Sequence, residues 1–161
     1  MTSFGIHNVR VFFQVVAAIL LVALCAAPAG SETGPPGIMV ELNPEKPLWL
    51  RVSLRSGAEN TATFFRSELP WGYRYSMVFV AVRPNGQPIE MELPVEDPVA
   101  EKVSLAPGGS LTGDIDLTRI IRDLNRVTKQ SDLHLFWAYE SPEELHISHW
   151  SGGWVLIPRQ K

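Results

Sequence analysis

Residues 46–55 read KPLWLRVSLR, with Leu48, Leu50, Val52 and Leu54 alternating with Trp49, Arg51, Ser53 and Arg55. In an extended chain successive side chains point to opposite faces, so a period of two gathers the four aliphatics on one side. A helix would scatter them around its circumference. The stretch is therefore a strand with one face in a core and the other toward solvent.

The same signature continues on either side of it. Residues 61–66 (TATFFR) and 76–82 (SMVFVAV) combine β-branched and aromatic residues. The second is apolar on both faces, which predicts a central strand covered on both sides. Asn85-Gly86 accommodates the positive φ of a two-residue hairpin turn, so residues 83–88 should lead into a returning strand at 89–93 with Ile89, Met91 and Leu93 inward and Glu90 and Glu92 outward. Residues 102–105 and 110–115 flank Ala106-Pro107-Gly108-Gly109, either as a second hairpin or as a corner where the chain switches sheets. One helical pattern follows: Leu117, Ile120, Ile121 and Leu124 share a face behind Asp116, a good N-cap. Alternation resumes at 132–139 with Leu133, Leu135, Trp137 and Tyr139 inward. Residues 145–147 and 154–157, around Ser151-Gly152-Gly153, supply the last strands. The sum is roughly eight or nine strands and one short helix, the content of an all-β antiparallel sandwich slightly richer than the simplest immunoglobulin-like domain.

The order of a strand, Pro107-Gly108-Gly109-Ser110, an Ile115-Asp116-Leu117 step, a helical turn and an aromatic strand spans residues 103–139. It resembles uncharacterised exported bacterial β-sandwich proteins of immunoglobulin-like type. The resemblance implies a binding or scaffolding module and brings no active site with it.

The first 29 residues, MTSFGIHNVRVFFQVVAAILLVALCAAPA, read as a signal peptide: Arg10 precedes an apolar run over 15–27, and Ala27-Pro28-Ala29 places small residues where a signal peptidase cuts. The expected compartment is periplasmic or extracellular. The alternative is an uncleaved membrane anchor, although the run is short of the roughly 20 residues a span needs. A lipoprotein leader is disfavoured because bulky Leu24 precedes Cys25. Residues 30–37 form a Pro- and Gly-rich tether, and 38–161 the β-sandwich domain. Cys25 is the only cysteine of the 161 residues, so cleavage after Ala29 leaves a domain without disulfide, thiolate nucleophile or cysteine zinc site. Its roughly 130 residues suffice for a core held by packing alone. The formal charge of −3 becomes one unit more negative when Arg10 leaves. No basic stripe marks a nucleic-acid partner, and the only membrane contact expected is through the leader.

Five tryptophans are many for such a domain. Trp137 falls on an inward face. Trp49 shares the outward face of its strand with Arg51 and Arg55, whose guanidinium could cover its ring. Between strands, Leu69-Pro70-Trp71-Gly72-Tyr73-Arg74-Tyr75 is a shaped loop presenting three rings and a cation. Trp71, Tyr73, Arg74 and Tyr75, with Trp49, are the candidate contact residues for a protein or envelope component, since rigid aromatic side chains dominate binding surfaces. Trp71 could instead plug the open end of the sandwich. A carbohydrate-binding domain, with rings stacked on sugar faces, is the alternative function.

Catalytic signals are weaker. Asp132 and His134 share a strand face and would serve a metal-assisted hydrolase. On a strand His146 and His149 would point to opposite faces. Glu90/Glu92 and Glu143/Glu144 lie in solvent-facing contexts that do not separate two carboxyl pKa values. Ser110 lacks the strand-to-helix elbow of hydrolases. These readings predict a non-enzymatic module with no cofactor. A loop-presenting protease inhibitor is a further possibility.

Overall fold

The structure, a computed structural model, describes residues 34–72, 76–92 and 100–161. The leader, the first part of the tether, Tyr73, Arg74, Tyr75, Leu93 and the acidic connection 94–98 lie outside the described residues. All described residues belong to one compact unit, Gly34–Lys161.

Its strands are β1 (Gly37–Leu42), β2 (Trp49–Arg55), β3 (Ala62–Phe65), β4 (Met77–Val82), β5 (Lys102–Leu105), β6 (Ser110–Asp116), β7 (Leu133–Glu140) and β8 (Trp150–Ile157). They form three antiparallel sheets, ordered β1-β2-β6, β3-β5 and β4-β7-β8. Among the described residues the protein is thus mostly antiparallel β-structure with one short helix, α1 (Leu124–Thr128).

The alternation is realised over β2, where Leu50, Val52 and Leu54 are inaccessible and the intervening residues are partly exposed, but residues 46–48, read as the start of this strand, form a turn with Leu48 at φ +61° and its side chain still buried. Strand β7 contributes Leu133, Leu135 and Tyr139 to the same core, with Trp137 packed against it. Phe64 of β3, Met77 and Ala81 of β4, Leu105 of β5, Ile115 of β6 and Ile157 of β8 complete a single hydrophobic cluster. The Tyr139 hydroxyl donates to the Glu68 carbonyl oxygen at 2.8 Å. Burial pushes its pKa up, with the nearby Glu68 charge adding to the effect, so the phenol stays a donor at any physiological pH.

The structure decides the local expectations, some as read and others corrected. The Ala106–Gly109 turn is a corner: β5 pairs with β3, whereas β6 pairs with β2. Gly108 takes φ +63°, and the Gly109 amide closes the turn on the Ala106 carbonyl. The Asn85-Gly86 turn forms, with Gly86 at φ +83° and Arg83 N–H bonding Gln87 O at 2.8 Å. The returning segment, however, makes only isolated bridges, Val82 with Pro88 and Met91 with Ile121. The helical pattern is split: a 3-10 turn at Leu117–Arg119, capped by the Asp116 carboxylate on the Thr118 amide, is separated from α1 by Asp123 at φ +54°. Residues 145–147 are not a strand, because the 3-10 turn Glu143–Leu145 runs into them and His146 takes φ +50°. Ser151-Gly152-Gly153 is no turn and lies inside β8.

The largest correction concerns β4. Among the described residues it pairs with β7 on one side, and on the other only Pro88 and Ile89 meet its last residues, so β4 is an edge strand of its sheet, not a central one. Only its inward face, Met77, Phe79 and Ala81, packs on the core.

Candidate aromatic and acidic pocket

The β1–β2 connection is organised by Asn43, whose side-chain oxygen accepts from the Glu45 and Lys46 amides at 2.9 and 3.1 Å. An Asx turn of this kind fixes the direction in which the next side chain leaves. Lys46 then reaches back over β2. Its ammonium sits 4.8 Å from the Trp49 ring centroid and 2.8 Å from Asp114 Oδ2. The cation on Trp49 is therefore this ammonium in place of a guanidinium from its own strand. Arg51 Nε stands 3.5 Å from Asp114 Oδ1. The hydrogen bond from Lys46 outweighs partial desolvation and holds the Asp114 carboxyl below its ordinary range.

Trp71 is placed by different means. The 3-10 turn Arg66–Glu68 is followed by Leu69 N–H bonding Arg66 O and Gly72 N–H bonding Leu69 O. A side chain at Gly72 would run into the Arg66 carbonyl, so the tight turn after Trp71 requires glycine. Ser76 Oγ donates to the Pro70 carbonyl at 3.0 Å and ties together the two roots of the loop. The indole lies on the backbone of Gly113 in β6, where any β-carbon would collide with the ring. Gly113 is on the inward side of β6, paired with Val52. Trp71 is accordingly half-buried.

These two tryptophans, 22 positions apart, line one pocket of about 220 Å³ along the open edge of β6. Trp49, Trp71 and Phe79 supply rings, while Asp114, Asp116 and Arg119 supply charge. Asp116 is opposite Trp49 in the β2–β6 register and caps the turn that presents Arg119. The volume is below the roughly 300–1,000 Å³ of typical small-molecule sites. It admits one side chain or one ring. Of the other candidate contact residues, Tyr73, Arg74 and Tyr75 lie outside the described residues.

The catalytic candidates are placed as follows. Asp132 Oδ1 accepts from the Arg159 amide at 2.7 Å, anchoring the end of the chain. The His134 ring lies 5.6 Å from that of Trp154. His146 and His149 do line one pocket, of about 280 Å³, with Glu143 and Ser141, because a turn separates them where a strand was expected. His149 Nε2 is 3.3 Å from Glu140 Oε1. No group of three or more metal-ligating side chains occurs among the described residues.

One surface was missed from sequence. Along the outward face of β4-β7-β8, Val78 (57% exposed), Val80 (49%), Phe136 (45%) and Trp154 (60%) are open to solvent, as are Trp150 and Leu156. The signal was present in β8, where Trp150, Gly152, Trp154 and Leu156 alternate with Ser151, Gly153, Val155 and Ile157. The glycine pair, read as a turn, concealed that period.

The chain matches no known family model, and no curated protein is significantly similar to it in sequence. Among the described residues no helix is long and apolar enough to cross a membrane.

Proposed function

We propose that the protein is an exported, non-enzymatic interaction module with an immunoglobulin-like β-sandwich fold, and that its pocket at the edge of β6 receives a side chain of a protein or envelope partner. The observation that carries this reading is the meeting of Trp49 and Trp71 in one recess with Asp114, Asp116 and Arg119. Partly exposed indoles beside fixed charges give a rigid, amphipathic anchor site at low entropic cost. The fold assignment is supported by strand order: β2 pairs with β1 and β6, and β7 lies between β4 and β8. This corresponds to the A-B-E and C-F-G pairings of immunoglobulin-like sandwiches. Export rests on the apolar leader before residue 30.

Affinity capture of the tagged protein from its own envelope fraction tests the reading. Partners recovered by the parent should be lost with Trp49→Ala and with Trp71→Ala, each checked for an unchanged circular dichroism spectrum. Unchanged recovery with both variants rejects the pocket as the contact site.

The juxtaposition of the Trp49 ring with Asp116 and Arg119 also favours a second reading, a site for one sugar ring. Titration with envelope glycans, followed by tryptophan emission, decides it. Emission that stays at the buffer control removes this reading.

A further inference from the structure

We propose that the outward face of the β4-β7-β8 sheet is a self-association surface on which a second copy of this chain seats face to face. Three observations lead there.

The first is area. Val78, Val80, Phe136, Trp150, Trp154 and Leu156 expose 43–60% of their surface. Together they present roughly 600–700 Å², at or just beyond the upper end of the ~300–600 Å² of the largest patch on an ordinary monomer and most of the ~800 Å² per partner of a standard interface.

The second is chemistry. Within the three central rows the only polar side chain is His134, itself against Trp154. Pairing the faces therefore buries no lone ion, the costly step in closing an interface. The Glu140–His149 pair stands at the rim beside Trp150, at the end of β7, where water remains. The neighbouring β1-β2-β6 sheet shows the contrast, for its central outward rows are Glu41–Arg51–Asp114 and Met39–Ser53–Thr112, with Met39 the one large apolar side chain among them.

The third is shape. Registers across the sheet give three rows: Val78–Ala138–Gly152, Val80–Phe136–Trp154 and Val82–His134–Leu156. Each row has β7 at its centre. A two-fold axis running along β7 in the interface plane exchanges the flanks of every row. It brings Trp154 of each copy over Val80 of the other, and Val78 of each over the notch at Gly152 of the other. Val78 thus fills the partner's notch at Gly152 while Phe136 meets its own copy on the axis, in an isologous contact with strands aligned as in packed sheets. Phe79 points to the other side of β4 from Val78 and Val80, so this surface is separate from the pocket.

Sedimentation velocity over about 1–100 µM, on protein purified from cells expressing the full chain, provides the test. A concentration-dependent dimer is expected. Val80→Glu and Trp154→Lys should each weaken it by roughly 30-fold, the effect of losing one strong anchor. Because the two positions face each other across the axis, the Val80→Glu/Trp154→Lys double variant should recover about tenfold of that loss. Both positions of change are exposed in the monomer, and an unchanged circular dichroism spectrum verifies folding. Met39→Lys, on the outward face of the other sheet, should leave the dimer intact and serves as the exposed apolar control. A monomer at every concentration overturns the proposal, as does binding to phosphatidylcholine vesicles without self-association. Single variants that associate like the parent, or a double variant no better than the singles, refute the two-fold arrangement.

Discussion

Gly113→Ala tests whether the pocket depends on the Trp71 ring resting on bare backbone. Gly113 sits in regular strand geometry without a positive φ, so alanine suits the local conformation and, on backbone terms alone, should stabilise by about 0.5–1 kcal/mol. The added methyl would collide with the indole at three ring atoms, and the ring must be displaced as a unit. Forcing a methyl into packed surroundings costs about 1–3 kcal/mol. The net expectation is a loss of about 1–2 kcal/mol, a fall in Tm of roughly 4–10 °C for a domain of this size. In a Trp71→Ala background the obstacle is gone. There the same substitution should be neutral or stabilising by about 0.5 kcal/mol, giving a coupling of about 2 kcal/mol in a double-mutant cycle. Chemical denaturation of the four proteins measures it. Equal effects of Gly113→Ala in both backgrounds would show that the indole does not rest on Gly113, and the described pocket would fall with it.

Tyr139→Phe deletes the hydroxyl bonded to the Glu68 carbonyl, leaving that acceptor without its buried partner, and should cost about 1–2 kcal/mol by urea denaturation. A neutral result would mean that water replaces the phenol. For Asp114 the folded-state pKa lies below its ordinary 3.8, chiefly through the Lys46 hydrogen bond. The ionised carboxylate therefore adds stability above the unfolded-state pKa, and that contribution disappears as pH falls through the folded value. Asp114→Asn should flatten the acid limb of a Tm-versus-pH curve below about pH 4, by less than about 1 kcal/mol for so accessible an ion pair. An acid limb as steep as the parent's would assign the loss to other carboxylates.

What sequence could reveal depended on whether the deciding physics was local. The face of β2 was legible because alternation over seven residues is a local fact, and the inward set of β7 was legible for the same reason. Strand β4 was misread because an apolar sequence on both faces says nothing about what covers either one. Coverage depends on pairing partners far along the chain. The candidate site was half legible. Trp49 and Trp71 could be singled out as rings on an outward face and in a shaped loop. Their meeting depends on the Trp49–Asp116 register and on the gap at Gly113, both properties of a strand more than 40 residues away. Asp114, Asp116 and Arg119 went unnoticed as lining residues for that reason, although Asp116 was already visible as a helix cap.

Strand β6 pairs with every residue of β2 without a bulge, and its inward positions belong to the core while Asp114 and Asp116 face the pocket. A one-residue deletion within it would exchange these roles at a stroke. A carboxylate would replace bare backbone beneath the Trp71 ring, and an aliphatic residue would face Lys46. Seven consecutive positions thus encode both the fold and the recess. Descendants of this chain could vary the part of the pocket that β6 supplies only by substitution within a fixed frame.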